Sequence, residues 1–150
     1  VQDANSLIAR ESSSGMFVTL FFCLLDPDKG TITYVNAGHN PPILVRNDGT
    51  SISLSMTGMA LGVNTSESYE ERSLSLCPGD LLVLYTDGVT EAEDSLHRQF
   101  GEERLESIAR QKRSHSAAEV LATIQSEVSM YTNAMPQYDD MTLVVLKVGS

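Results

Sequence analysis

Apolar residues along this chain fall into short runs separated by turn chemistry. The run MFVTLFFCLL, residues 16–25, is apolar at odd and even positions alike, which predicts a central strand covered on both faces. Asp26-Pro27-Asp28-Lys29-Gly30 supplies a turn, and residues 31–36 return as the second strand of a hairpin. NAGHNPP, residues 36–42, reads as a loop. Residues 43–46 and 52–54 make short strands around Asn47-Asp48-Gly49, where Asn and Gly tolerate positive φ. After the TGMALGV loop, residues 57–63, the stretch 69–76 alternates in part. Cys77-Pro78-Gly79-Asp80 then turns the chain into an apolar strand over residues 81–86. Tight turns between these strands favour antiparallel pairing.

The helical period appears near both ends. Residues 4–10 look like the end of a helix whose apolar face is Leu7 and Ile8. Residues 102–113 place Leu105, Ile108 and Ala109 on one face, with Arg110, Lys112 and Arg113 at the end the helix dipole favours for cations. Ser116 and Glu119 have the spacing of a capping box, opening a helix that turns Val120, Leu121, Ile124 and Val128 inward until Pro136 stops it. Residues 141–148 form a last strand. Hairpin-joined strands with a helix pair predict a layered α+β sandwich.

Composition narrows the function classes. A chain of 150 residues, 41% hydrophobic, fits a single domain with a real core. No apolar run approaches a membrane span, and the N-terminus lacks the order of a signal peptide. A formal net charge of -10 opposes non-specific binding to nucleic acid. Cys23 and Cys77 lie in apolar or strand-like runs without metal-knuckle spacing, and read as buried thiols of a reducing compartment in preference to a disulfide.

Carboxylates at strand ends are the first chemical candidates. Asp87 follows the strand 81–86, and Asp139-Asp140 precedes the strand 141–148. Antiparallel neighbours would bring these carboxylates together, and such a cluster is costly unless a cation lies between them. Hard Mg2+ or Mn2+ suits it, and Gly88 would let the turn pass close by. Each piece alone is also ordinary turn chemistry, and Glu91 and Glu93 read as solvated. His39, in NAGHNPP, could bind a metal or an anion, or make a structural hydrogen bond. Its spacing to His97 and His115 builds no zinc site. There is no G-x-S-x-G elbow and no P-loop.

Taken in order, MFVTLFFCLLD, YVNAGHNPP, GMALGV, LLVLYTDGVTEA, FGEERL and YDDMTLVVLK resemble the successive motifs of the metal-dependent (type 2C) serine/threonine protein phosphatases. The resemblance is to the bacterial SpoIIE-like branch, with its RsbU-type regulators of sigma-factor pathways. It implies a four-layer αββα sandwich of two antiparallel sheets flanked by helices. It also implies two Mn2+ or Mg2+ ions and a water that attacks phosphorus in line, which would explain why no serine or cysteine nucleophile is found. On the matching motifs Asp87 and Asp139 would be metal ligands with Asp140 beside them. Gly88, Thr142 and the Asn36, Gly38, His39 and Asn40 loop would support the site. The implied substrate is a phosphorylated protein, an anti-sigma-factor antagonist, in the cytoplasm.

One departure changes the expectation for these residues. The family's first signatures, an early aspartate and a G-x-G turn opening a helix, should precede MFVTLFF, and no G-x-G occurs. The expected domain is therefore truncated at its N-terminal side, binding metal weakly and hydrolysing little by itself. An exposed sheet edge is expected too, which a second copy of the chain could pair with. The competing reading is a catalytically silent relative that binds a partner protein. Arg104, Arg110, Lys112 and Arg113 could contact a phosphoprotein or merely solvate a helix face.

Overall fold

A computed structural model of the protein describes residues 1–11, 15–133 and 139–149. In chain order the elements are α1 (Gln2–Glu11), β1 (Leu20–Asp26), β2 (Thr31–Ala37), β3 (Ile43–Val45), β4 (Ser51–Ser53), β5 (Arg72–Ser75), β6 (Leu81–Tyr85), α2 (Asp87–Thr90), α3 (Glu102–Gln111), α4 (Ala117–Thr132) and β7 (Leu143–Lys147). Two antiparallel sheets with flanking helices give the expected α+β class. The chain divides into two compact units, Val1–Pro41 with Leu54–Leu76 and Pro42–Ser53 with Cys77–Ser150. Among the described residues no helix is long and apolar enough to cross a membrane.

The first unit holds the sheet β1-β2-β5. The β1–β2 hairpin pairs Leu20 with Ala37 through Asp26 with Thr31, and β2 pairs on its other side with β5. The predicted central strand is therefore an edge strand, and β2 is central. Alternation explains the correction. Ile32, Tyr34 and Asn36 fill the buried face, where Phe21 stacks on Tyr34 with ring centroids 5.4 Å apart. Phe22 and Leu24 project to the opposite face and are 45% and 62% exposed. Leu25, on the same face as Phe21, is exposed as well, so an apolar run did not mark a strand covered on both faces.

Helix α1 departs from its pattern as well. Leu7 is exposed, and the residue the helix buries is Asn5. Its side-chain amide donates to the Asn64 carbonyl at 2.9 Å, and its oxygen accepts the Gly62 N–H at 2.8 Å, so both halves of the buried amide are satisfied. The thiols are not both buried. Cys23 is half-buried and Cys77 is exposed in its turn, and both are free.

The second unit holds the sheet β4-β3-β6-β7. Here β6 has a partner on each side, with Ile43 opposite Val83 and Leu143 opposite Tyr85. Leu81, Val83, Tyr85 and Val89 form a core with Leu105 and Ala109 of α3 and Val120, Ile124 and Val128 of α4. The capping box is present: the Ser116 hydroxyl accepts the Glu119 N–H, and the Glu119 carboxylate accepts the Ser116 N–H at 2.9 Å. Helix α4 ends at Thr132 before left-handed Asn133, while Pro136 lies outside the described residues. Arg104 does more than solvate a helix face: its guanidinium lies 4.1 Å from the Tyr131 ring centre and 5.3 Å from that of Phe100.

Candidate functional site

Strand β6 is buried because both its neighbours and two helices cover it, and this fixes where its C-terminal end emerges. Its antiparallel pairing with β7 brings the segment after Tyr85 beside the segment before Leu143. That register sets the backbone around Asp87 beside the backbone of the Asp139-Asp140 pair. Beyond the last paired residues the Thr86 N–H donates to the Thr142 carbonyl at 3.1 Å. The Thr142 N–H donates to the Thr86 hydroxyl at 2.9 Å, and that hydroxyl donates to the Asp140 carbonyl at 3.0 Å.

Gly88 shows how closely the two segments pass. A Cβ at this position would sit 2.6 Å from the Asp140 carbonyl oxygen and 3.2 Å from that of Asp139. No side chain fits there, so the glycine is required by the approach of the facing backbone. Asp87 opens the short helix α2 and stays exposed, its carboxylate accepting the Gly88 N–H at 3.0 Å. Asp139 is exposed and accepts the Asp140 N–H at 2.7 Å. The second unit thus brings together Asp87, Gly88, Asp139, Asp140 and Thr142.

The Asn36–Asn40 loop belongs to the first unit, and its own organisation is clear. Asn36 is fully buried. Its amide donates to the Leu54 carbonyl at 3.1 Å, and its oxygen accepts the His39 N–H at 2.9 Å. Gly38 has φ +73°, and a Cβ there would meet the Ala60 backbone at 3.0 Å. Asn36 and Gly38 therefore shape the loop, while His39 and Asn40 are half-buried on it.

The loop following α2 is also ordered by a carboxylate. Asp94 accepts the N–H groups of Leu96 and Arg98 at 2.8 and 3.0 Å and the Arg98 guanidinium at 2.7 Å. The Arg98 guanidinium and N–H hold its carboxyl down at about 2. Glu93, expected to be solvated, is partly buried and bonds the His97 imidazole at 2.7 Å. An open groove of about 640 Å³ lies between the Asn47–Gly49 turn and α3. Both of its arginines have partners: Arg110 pairs with Glu106 at 3.8 Å, and Arg113 donates to the Asn47 carbonyl at 3.2 Å.

Among the described residues no group of three or more His, Cys, Asp or Glu side chains is placed to hold a metal ion. These residues therefore do not assemble a full ligand set by themselves. The donors at the ends of β6 and β7 still suit a hard cation of the Mg2+ or Mn2+ kind, which takes one or two carboxylates and keeps its waters. Exposed Asp87 and Asp139 are such donors, held on segments whose approach no side chain at position 88 could tolerate. Thr86 was not foreseen as part of this arrangement, although its place before Asp87-Gly88 and at a helix start was readable.

Comparison with known proteins gives concordant results. A family model described as Stage II sporulation protein E (SpoIIE) matches residues 1–149. The chain is 34% identical to Protein IcfG of Synechocystis over 97% of its own length and 23% of that protein. It is 28% identical to Phosphoserine phosphatase RsbU of Bacillus subtilis over 98% of its length and 44% of that protein. It therefore spans less than half of either relative. Among solved structures, the manganese-presoaked phosphatase domain of SpoIIE from Bacillus subtilis superimposes with a TM-score of 0.74 at 20% identity, covering 97% of this chain and 63% of that one. That likeness is one of fold.

Proposed function

The chain belongs to the SpoIIE family, and from that premise we propose that the protein is a metal-dependent phosphatase acting on phosphorylated serine or threonine of a partner protein. The observation that supports this reading is the close backbone approach of the Asp87-Gly88 turn to the Asp139-Asp140 segment at the paired ends of β6 and β7. Mn2+ or Mg2+ would supply the water activation and the charge neutralisation that phosphoryl hydrolysis needs. Asp87 and Asp139 would hold the ion, with Asp140 next to them. Gly88 leaves room for the facing backbone, and Thr142 is fixed by accepting from the Thr86 N–H and donating to the Thr86 hydroxyl. The resemblance to RsbU-type regulators supports an anti-sigma-factor antagonist as the phosphoprotein and the cytoplasm as the place of action. The net charge of -10 agrees with a partner that is not nucleic acid.

The test is manganese-dependent phosphate release from a phosphoserine protein by the full-length protein, beside its Asp87→Asn variant. The expected loss is on the order of a hundredfold or more, as removal of a ligand should exceed the effect of disturbing a residue that only orients one. One observation favours a second reading, a catalytically silent binding module: among the described residues no three-donor group is gathered. A full-length protein inert in excess manganese, yet still bound to its partner, would select that reading.

A further inference from the structure

The Thr86 hydroxyl is used in an unusual way. Thr86 is the N-cap of α2, where a threonine side chain ordinarily accepts a hydrogen bond from the first turn of its own helix. Here the side chain makes no cap bond. Its hydroxyl instead spans to the facing chain, accepting from the Thr142 N–H at 2.9 Å and donating to the Asp140 carbonyl at 3.0 Å. The backbone explains the first of these bonds. The Thr86 carbonyl accepts the Val89 N–H at 3.0 Å as α2 begins. The hydroxyl therefore supplies the acceptor for Thr142 in place of that carbonyl. A strand that turns sharply into a helix stays tied to its neighbour through this side chain together with the Thr86 N–H bond to the Thr142 carbonyl.

We propose that Thr86 is a positioning residue whose hydroxyl sets the placement of the Asp139-Asp140 segment relative to Asp87, and so tunes how tightly the site holds its cation. The inference rests on the reading of Asp87 and Asp139 as metal ligands. Both hydroxyl bonds and the Gly88 contact act on the same short stretch, so Thr86 holds the backbone that Gly88 admits. Threonine and serine can both make the two bonds. Valine has the same shape and can make neither.

The experiment is calorimetric titration of the full-length protein with Mn2+ alone, for the wild type, Thr86→Val, Thr86→Ser and Asp87→Asn. Thr86→Val is expected to weaken manganese affinity about tenfold or more, and Thr86→Ser to stay within about twofold because it keeps both bonds. Asp87→Asn should abolish binding at the site. Wild-type affinity in Thr86→Val would overturn the proposal while leaving the ligand reading intact. Equal affinity in Asp87→Asn and the wild type would overturn the ligand reading itself. A second measurement needs no variant: manganese should slow hydrogen exchange of the Thr142 amide in the wild type. An unchanged rate, in a protein that binds manganese through Asp87, would also overturn the proposal.

Discussion

Strand β1, LFFCLLD, and strand β6, LLVLY, are both rich in leucine and aromatic residues, and their surroundings are opposite. In β6, Leu81, Leu82, Val83 and Tyr85 are buried, with β3 and β7 alongside and α3 and α4 contributing to the same core. In β1, Phe22, Leu24 and Leu25 are exposed on an edge strand with one neighbour. An apolar run states that a strand can be buried on both faces. Whether it is depends on partners elsewhere in the sequence, and only the register and neighbours of each strand settle it. The same distinction bears on the proposed site, because β6, with a neighbour on each side, is the strand that leads into Asp87.

The largest effect should come from truncating the two strands alike. Leu81→Ala removes a fully buried side chain from the core of the second unit and is expected to cost about 3 kcal/mol. Leu24→Ala changes a residue 62% exposed and should stay within about 0.5 kcal/mol. Urea unfolding of both variants measures the difference, and equal midpoints would mean that β1 is as deeply covered as β6.

A smaller but related contrast lies in the acids that flank the strands. Asp80, 1% exposed and just before β6, accepts the Arg46 guanidinium at 2.5 Å and the N–H groups of Cys77 and Asn47 at 2.9 and 3.2 Å. Asp80→Ala removes the acceptor of a buried charged group and should cost about 3 kcal/mol or slightly less, since Arg46 is partly exposed. Asp26, at the end of β1, pairs with Lys29 at 2.8 Å across an exposed turn. Asp26→Ala should leave the urea midpoint unmoved. A large shift there would show that the β1 turn carries stability its exposure does not suggest.

These contrasts mark how far the sequence could be read. The period of two was legible wherever polar residues alternated with apolar ones, and the capping box at Ser116 and Glu119 was legible because its residue types have few other uses. The backbone proximity of the residues after β6 and before β7 was legible because antiparallel pairing of two strands sets the end of one beside the start of the other. The edge position of β1 was not, since every residue in the run could have faced a core. Buried Asn5 escaped because a hydrophobic pattern has no symbol for a polar anchor whose partners lie 59 and 57 residues away. Thr86 escaped because its cap position suggested a local bond, while its partners lie 54 and 56 residues on.

The smallest effect is a pH dependence, and it extends the comparison to the loops that follow the strands. Both Asp26 after β1 and Asp94 in the loop beyond β6 have carboxyls lowered by hydrogen bonds, from the Lys29 ammonium and N–H in one case and the Arg98 guanidinium and N–H in the other. Asp94, at about 2, is the more strongly held, and it also organises the turn of the Leu96 and Arg98 N–H groups. A carboxyl whose folded value lies below its unfolded one stabilises the fold above the unfolded value, about 4. That stabilisation is lost as pH falls from there through about 2. Thermal unfolding of the wild type and Asp94→Asn between pH 5 and pH 2 should show the wild type ahead at the upper end, with the gap closing as the solution is acidified. The corresponding gap for Asp26→Asn should be smaller throughout, because a single exposed lysine holds that turn. Parallel curves for Asp94→Asn and the wild type would show that the loop beyond β6 is held by something other than this carboxylate, with the stacking of Arg104 on Phe100 and Tyr131 as the contact to remove next.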